Sequence, residues 1–205
     1  WQLTEHVARH GVLEARAAEL AGLSPAVLDL RGTEAGSAEM LYLRAARAAA
    51  ESDLAESDVA VAIAQYGLAP FLTGAGVDLG DLLPVTEPHG GGYRANLETR
   101  RDAVAQSPQV VQANQRVQTL HGEVKELSAA VVAADAARSE LTAGYPVGQV
   151  SLDEVLLAID QETSESLALL SKVTEYNGAI AALAQRLLPA GATEQQLVAA
   201  LVLPQ

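Results

Sequence analysis

Hydrophobic residues recur in alternating steps of three and four over residues 107–141. Nine of the ten positions in this stripe are apolar: Val110, Ala113, Val117, Leu120, Val124, Leu127, Val131, Ala134 and Leu141. The tenth is Arg138. Ser107 suits a helix N-cap, Pro108 suits the first helical position, and Gly144 is expected to end the helix as its C′ glycine. The pattern predicts a helix about 50 Å long, whose 3.5-residue period calls for a partner helix.

A second helical stripe follows directly and supplies that partner. Ser151 and Glu154 have the spacing of a capping box, in which each side chain bonds to the backbone N–H of the other. The stripe holds seven apolar positions: Leu152, Leu156, Ile159, Leu170, Val173, Ile180 and Leu187. Three polar residues interrupt it: Thr163, Ser166 and Asn177. Because only residues 144–150 separate the two helices, they are predicted to form an antiparallel hairpin that ends near Leu188.

The first half of the chain repeats this plan. Residues 3–20 show an amphipathic helical pattern, and Ser24-Pro25 is expected to restart or kink that helix. A turn is predicted near residues 31–37, after which Ser37 caps an alanine-rich helix that runs to about Leu68.

These patterns predict an all-α fold of two long antiparallel coiled-coil hairpins, joined by an irregular connector rich in proline and glycine. Composition agrees, because 49% hydrophobic residues with only 3% aromatic residues favour helices over a β-sandwich or barrel. The predicted parts are a first hairpin at 1–69, the connector at 70–96, a second hairpin at 97–188, and a tail with a short helix at 189–205.

Acidic residues outnumber basic residues by 26 to 13, which gives a net charge of −13. Such a surface repels phosphate groups, so nucleic acids and anionic membrane surfaces are not expected partners. The chain has no cysteine, which excludes a disulfide scaffold, a thiolate metal site and a cysteine nucleophile. No motif for Ser/His/Asp catalysis is present. We therefore expect neither enzyme activity nor a cofactor.

Two further patterns contain residue types found in ligand sites. His6 and His10 lie four residues apart and share one helix face, but no third ligand follows at a telling spacing. We expect ordinary polar positions there and no metal site. The glycine run at 90–92 lacks the preceding strand and the lysine of a phosphate-binding loop, so it is interpreted as part of the connector.

Acidic residues cluster in the first half of the last long helix. The cluster comprises Asp153, Glu154, Asp160, Glu162 and Glu165. No basic residue follows it before Lys172. A solvated helix face and the acidic lining of a shared, water-filled lumen both fit this pattern. Tyr145, at the turn before the helix, likewise fits either an anchor of the turn or a contact residue for a partner.

The turn before the last long helix carries a motif of moderate specificity, Tyr145-x-x-Gly148-x-x-Ser151-x-x-x-Val155-Leu156-x-Ala158. Tyr176-Asn177 and Leu187 follow it. This arrangement resembles the second periplasmic helical hairpin of the TolC-like outer-membrane efflux proteins. Two other segments are similar to the first hairpin turn and to the start of the second repeat of these proteins: Gly36-Ser37-x-Glu39-Met40-Leu41 and Ser107-Pro108-Gln109-Val110.

The resemblance implies a homotrimer at the cell outer membrane, whose hairpins pack side by side into an α-helical tunnel across the periplasm. The hairpin tips would dock a periplasmic adaptor protein that belongs to an inner-membrane pump. The implied tip residues are Gly36, Ser37, Tyr145, Gly148 and Ser151. Glu154, with Asp153 beside it, would constrict the lumen. Val150 and Leu157 stand where such tips carry a basic and a second acidic residue, so an ion-paired gate is not expected.

A different class of function fits the same helices. A coiled-coil binding or adaptor module with no transport role would use the hairpins to hold partner helices. The two classes differ in oligomer geometry, because a conduit predicts a closed trimer whereas a binding module predicts a monomer or dimer.

Overall fold

The computed structural model describes residues 2–29, 34–72, 107–188, 191–193 and 196. Within these ranges the chain is helical and contains no strand, which confirms the predicted all-α class. The elements are α1 (Gln2–Gly22), α2 (Ser24–Asp29), α3 (Glu34–Leu72), α4 (Pro108–Gly144), a short 3₁₀ turn (Tyr145–Val147) and α5 (Leu152–Leu187). Most of the predicted connector at 70–96, including the glycine run at 90–92, and most of the tail at 189–205 lie outside the described residues.

The break predicted at Ser24-Pro25 is present. Helix α1 ends at Gly22 and α2 begins at Ser24, so Pro25 falls in the first turn of a helix, where its missing N–H is not needed. Leu23 between them is buried, and its backbone N–H still donates to the carbonyl of Glu19.

The start of α3 differs from the prediction. The helix begins at Glu34, so Gly36 and Ser37 lie in its first turn and Ser37 is not its N-cap. Glu34 and Ala35 are good helix formers, and an acidic residue is favoured at the positive end of the helix dipole. The helix also continues to Leu72, three residues into the predicted connector.

Helix α4 begins as predicted but ends differently. The Ser107 hydroxyl accepts a hydrogen bond from the backbone N–H of Val110 at 3.4 Å, and Pro108 is the first helical residue. Gly144 was expected to adopt the left-handed conformation, but its φ is −75° and it is the last residue of α4. The left-handed residue is Gly148, at φ +73°. Gly144 is buried, and a Cβ there would lie 3.5 Å from the Val150 side chain, which is an ordinary van der Waals distance.

The predicted capping box of α5 is present, with Ser151 and Glu154 each bonded to the backbone N–H of the other. The helix ends at Leu187, next to the predicted Leu188. Two of the polar interruptions, Thr163 and Asn177, are buried and therefore belong to the core. The Thr163 hydroxyl donates to the carbonyl of Ile159 at 2.8 Å, which satisfies it without a partner outside its own helix.

The core has two parts. The first joins the end of α1, α2 and the start of α3 to the turn before α5 and to the start of α5. Its buried members are Leu20, Leu23, Val27, Leu43, Ala50, Tyr145, Leu152, Val155 and Ile159. The second joins the start of α4 to the end of α5. Its buried members are Val110, Ala113, Val117, Leu120, Tyr176, Ile180, Leu183 and Leu187.

The four long helices are arranged in a row. Extensive packing joins α3 to α1, α1 to α5, and α5 to α4. A closed bundle would also need α3 to pack against α4, and these two helices share no comparable contact among the described residues. Helices α3 and α4 therefore form the two edges of the row.

Candidate functional site

The turn between α4 and α5 is attached to the start of α3 by a tyrosine. Tyr145 is 3% exposed, and its hydroxyl donates to Oε2 of Glu39 at 3.0 Å. Burial raises the pKa of Tyr145 to about 12, and the neighbouring Glu39 carboxylate adds to the shift. This contact brings the turn and the first residues of α3, including Gly36 and Ser37, to one end of the molecule, called the tip below.

Replacing Tyr145 by Phe removes the hydroxyl and leaves the Glu39 carboxylate without its donor. We expect the free energy of unfolding to fall by about 1 kcal/mol at pH 7. Because the pKa of Tyr145 is raised in the folded chain, this stabilisation is complete below pH 10 and is lost as the pH rises towards about 12. Urea unfolding measures the difference in the free energy of unfolding between the unmodified chain and Tyr145→Phe. This difference should shrink between pH 10 and about pH 12. An equal difference at pH 7 and pH 12 would contradict the assignment.

The outward surface of the tip is formed by other residues than Tyr145. Val147 is 68% exposed, and Gly148 lies beside it in the left-handed conformation that favours glycine. The Ser151 side chain is occupied by the capping box. Of the residues singled out from sequence, Tyr145 thus contacts its own chain, whereas Gly148 and Ser151 lie on the exposed turn.

The acidic residues of α5 differ in their contacts: some lie at the start of their own helix, and others are bound by arginines of other helices. Glu154 accepts hydrogen bonds from the Ser151 backbone N–H at 2.7 Å and from its hydroxyl at 2.8 Å, which together lower the pKa of Glu154. Asp153 is exposed. Asp160, in contrast, is bound by Arg16 of α1 at 2.8 Å. The sequence pattern suggested a run without basic neighbours, and it missed arginines that reach α5 from other helices.

These arginines lie along the contact between α1 and α5, called the seam below. Arg16 of α1 bridges Asp53 of α3 at 2.6 Å and Asp160 of α5 at 2.8 Å. Arg138 was the only charged position of the α4 stripe, and its guanidinium reaches Glu19 of α1 at 2.5 Å. The pKa of Arg138 is raised, chiefly by a hydrogen bond to Asp135. The charged residue in the apolar stripe of α4, Arg138, was thus the feature of the sequence that indicated an ion pair at the seam.

Helix α3 carries an apolar face that no other described helix covers. Its positions recur at steps of three and four, and all are exposed except the half-buried Ala62. This α3 edge comprises Ala38, Leu41, Ala45, Ala48, Ser52, Ala55, Val59, Ala62 and Tyr66. Leu41 is 66% exposed, Val59 58% and Tyr66 74%. The opposite face of α3 packs on α1 through buried Leu43 and Ala50. The helix is therefore apolar on two faces.

Helix α4 has a comparable outer face at the other end of the row. The α4 edge recurs at the same spacing, and every position is exposed. It comprises Val111, Gln115, Gln118, Gly122, Lys125, Ala129, Val132, Ala136, Ser139 and Ala143. Five of the ten residues are Gly, Ala or Ser and two are Val, whereas Gln115, Gln118 and Lys125 are long and polar. The small residues allow a neighbouring helix to approach closely.

Grooves run beside the central helices, and one of about 500 Å³ lies between α1 and α3 and reaches α5. Two more border α5. One, of about 540 Å³, lies between α4 and α5 and is lined mainly by alanines, with the 69% exposed Leu157 at its rim. The other, of about 650 Å³, lies along the seam and is lined by residues of α1 and α5 with Arg138 of α4. Both are open surface grooves and neither encloses a cavity.

Of the two histidines singled out from the sequence, His10 contacts an aspartate of another helix. Its Nε2 atom lies 2.9 Å from Oδ1 of Asp58 in α3. Among the described residues, no group of three or more histidine, aspartate or glutamate side chains is arranged to hold a metal ion. None of the helices in the described ranges combines the length and hydropathy that crossing a membrane requires.

Searches of protein-family models, curated proteins and solved structures each found no match to this chain. The tip, the seam and the two edges are therefore the observations on which a functional interpretation rests.

Proposed function

We propose that this chain is a wall segment of an outer-membrane export conduit, in which three copies pack side by side around a tunnel. In this proposal α1 with α3, and α4 with α5, act as two antiparallel coiled-coil hairpins that share one tip. The role is structural, without catalysis or a cofactor.

The supporting observation is the pair of exposed edges at the two ends of an open row of helices. A surface helix normally has one apolar stripe, which it buries in the core. Helix α3 has a second, and several large side chains of that edge are more than half exposed. A contiguous apolar face of this kind is typical of a surface that associates with a partner.

The two edges match each other in length. Helices α3 and α4 contain 39 and 37 residues. Val59 lies six residues beyond the ion-paired Asp53, and Val132 lies six residues from Arg138 in the same direction, away from the tip. Each valine thus lies about 9 Å from the ion-paired residue of its own helix, on the side away from the tip. Packing one chain's α3 edge on the next chain's α4 edge is a heterologous contact, which closes into a ring under rotational symmetry.

The tip then supplies the docking end of the conduit. Exposed Val147 and Gly148, together with the first turn of α3, would face a periplasmic adaptor protein that links the conduit to an inner-membrane pump. Tyr145 would hold this surface in place from beneath through its bond to Glu39.

The second candidate is a coiled-coil binding module without a transport role. The alanine-lined groove between α4 and α5 favours it, because small side chains admit the ridge of a partner helix. Such a module would leave the α3 and α4 edges unpaired between copies.

Disulfide crosslinking tests the edge contact. The chain has no cysteine, so Val59→Cys and Val132→Cys can be introduced together without background thiols. Under oxidation we expect a ladder of two and three linked chains that stops at three. Each single variant is the matched control, since either cysteine alone would face a valine. Crosslinked Val59→Cys chains, or no crosslinks in the double variant, would contradict edge-to-edge packing.

A further inference from the structure

Arg138 of α4 faces more carboxylate groups than it can neutralise. Its guanidinium contacts Glu19 of α1 at 2.5 Å, Glu162 of α5 at 2.9 Å, and Asp135 one turn earlier on α4. The side chains of Arg138 and Glu19 are 21% exposed and that of Glu162 is 26% exposed, so water screens these charges only in part. The Nε–H group of Arg138 has no aligned acceptor, as expected where three carboxylates compete for one planar cation.

The other described arginines at the seam already have partners. Arg16 is shared between Asp53 and Asp160. Arg9 contacts Glu5 and donates to Ser171 of α5. Arg16 and Arg138 together therefore face five carboxylates. His10 and Glu14 of α1 line the same groove; the ring of His10 is bonded to Asp58, and Glu14 adds a further carboxylate.

We propose that the seam between α1 and α5 is a pH-sensitive joint that tightens on acidification, with Glu162 as the group that takes up the proton. A proton on Glu162 removes the charge that repels Glu19 and Asp135, and it leaves Arg138 paired with both. The joint lies within one chain, so it stands whether or not copies assemble into a conduit.

The direction of the effect follows from linkage. Burial raises the pKa of Glu162; Arg138 opposes this shift, and the carboxylates of Glu19 and Asp135 add to it. A carboxyl group with a raised pKa in the folded chain binds its proton preferentially there, so stability rises as the pH falls towards the ordinary value of 4.5. Glu154 and Glu175 have lowered pKa values, so their contributions to stability are lost as the pH falls. That loss occurs only below pH 4.5.

Thermal unfolding of the full chain tests the joint at a fixed protein concentration. We expect the Tm of the unmodified chain to rise by about 2 °C between pH 8 and pH 5.5. Glu162→Gln, which mimics the protonated side chain, should raise the Tm at pH 8 by a similar amount and abolish the rise. Glu165→Gln is the matched control, because it removes the same charge from α5 at a residue that lines the groove between α4 and α5 and does not contact Arg138. Asp135→Asn provides a second test, since it also relieves the excess at Arg138.

A second readout reports the seam itself. Nitroxide labels on cysteines at the exposed positions Gly11 of α1 and Ala168 of α5 give the distribution of distances across it. This distribution should narrow from pH 8 to pH 5.5 and should be independent of pH in the Glu162→Gln background. The proposal is overturned if acidification lowers the Tm in this range, if Glu162→Gln and Asp135→Asn destabilise the chain at pH 8, or if the distribution broadens.

Discussion

Replacing Val59 by Glu is expected to convert an assembled trimer into single chains. The side chain is 58% exposed in the half of the α3 edge that lies away from the tip, so the substitution should change the stability of the isolated chain by less than about 0.5 kcal/mol. In the assembly, however, it would bury an unpaired carboxylate against apolar Val132 of the next copy. Such burial is strongly unfavourable, and a ring repeats it at each of its contacts. Sedimentation velocity would measure the loss of the trimer.

Ala168→Glu is the matched control for this substitution. Ala168 is exposed on the central helix α5, outside both edges. The substitution introduces the same charge there. It should leave the trimer intact, whereas Val132→Glu on the α4 edge should dissociate it as Val59→Glu does. Retention of the trimer in both edge variants would show that copies associate through another surface.

Replacing Ile159 by Ala is expected to lower the free energy of unfolding by about 3 kcal/mol. Ile159 is 0% exposed and belongs to the core that joins α5 to the tip and to the end of α1. The loss combines the transfer free energy of the deleted carbons with a cavity that four converging elements can fill only partly. Urea unfolding is best measured in the Val59→Glu background, where assembly does not add to the apparent stability.

Leu157→Ala is the control for this core substitution. Leu157 lies two residues away on the same helix but is 69% exposed, so its truncation should change the free energy of unfolding by less than about 0.5 kcal/mol. Equal losses for Ile159→Ala and Leu157→Ala would contradict the described packing of α5.

The local signals in the sequence were sufficient for much of the fold. The Ser107 cap, the capping box at Ser151 and Glu154, and the break at Ser24-Pro25 depend on neighbours within four residues, and all three are present. The ten-position stripe of α4 is also inward-facing, since each of its residues is buried or half-buried. Such features follow from the helical period and the backbone groups at helix ends.

Contacts between distant segments could not be predicted in this way. The left-handed role expected of Gly144 belongs to Gly148, because α4 continues directly into the 3₁₀ turn Tyr145–Val147 before the chain reverses. The acidic cluster of α5 appeared free of cations, yet Arg16 and Arg138 reach it from α1 and α4. These ion pairs form between side chains that meet only after the helices have packed, and no short-range pattern in the sequence reports them.

The oligomeric state of the intact chain tests the central claim most directly. Sedimentation velocity, with electron microscopy of the same sample, would determine the number of copies and the shape of the particle. We expect a discrete trimer that appears as a ring in projection, formed when each α3 edge packs against the α4 edge of its neighbour. A monodisperse single chain at the same concentration would contradict it, and the coiled-coil binding module would then be the better interpretation.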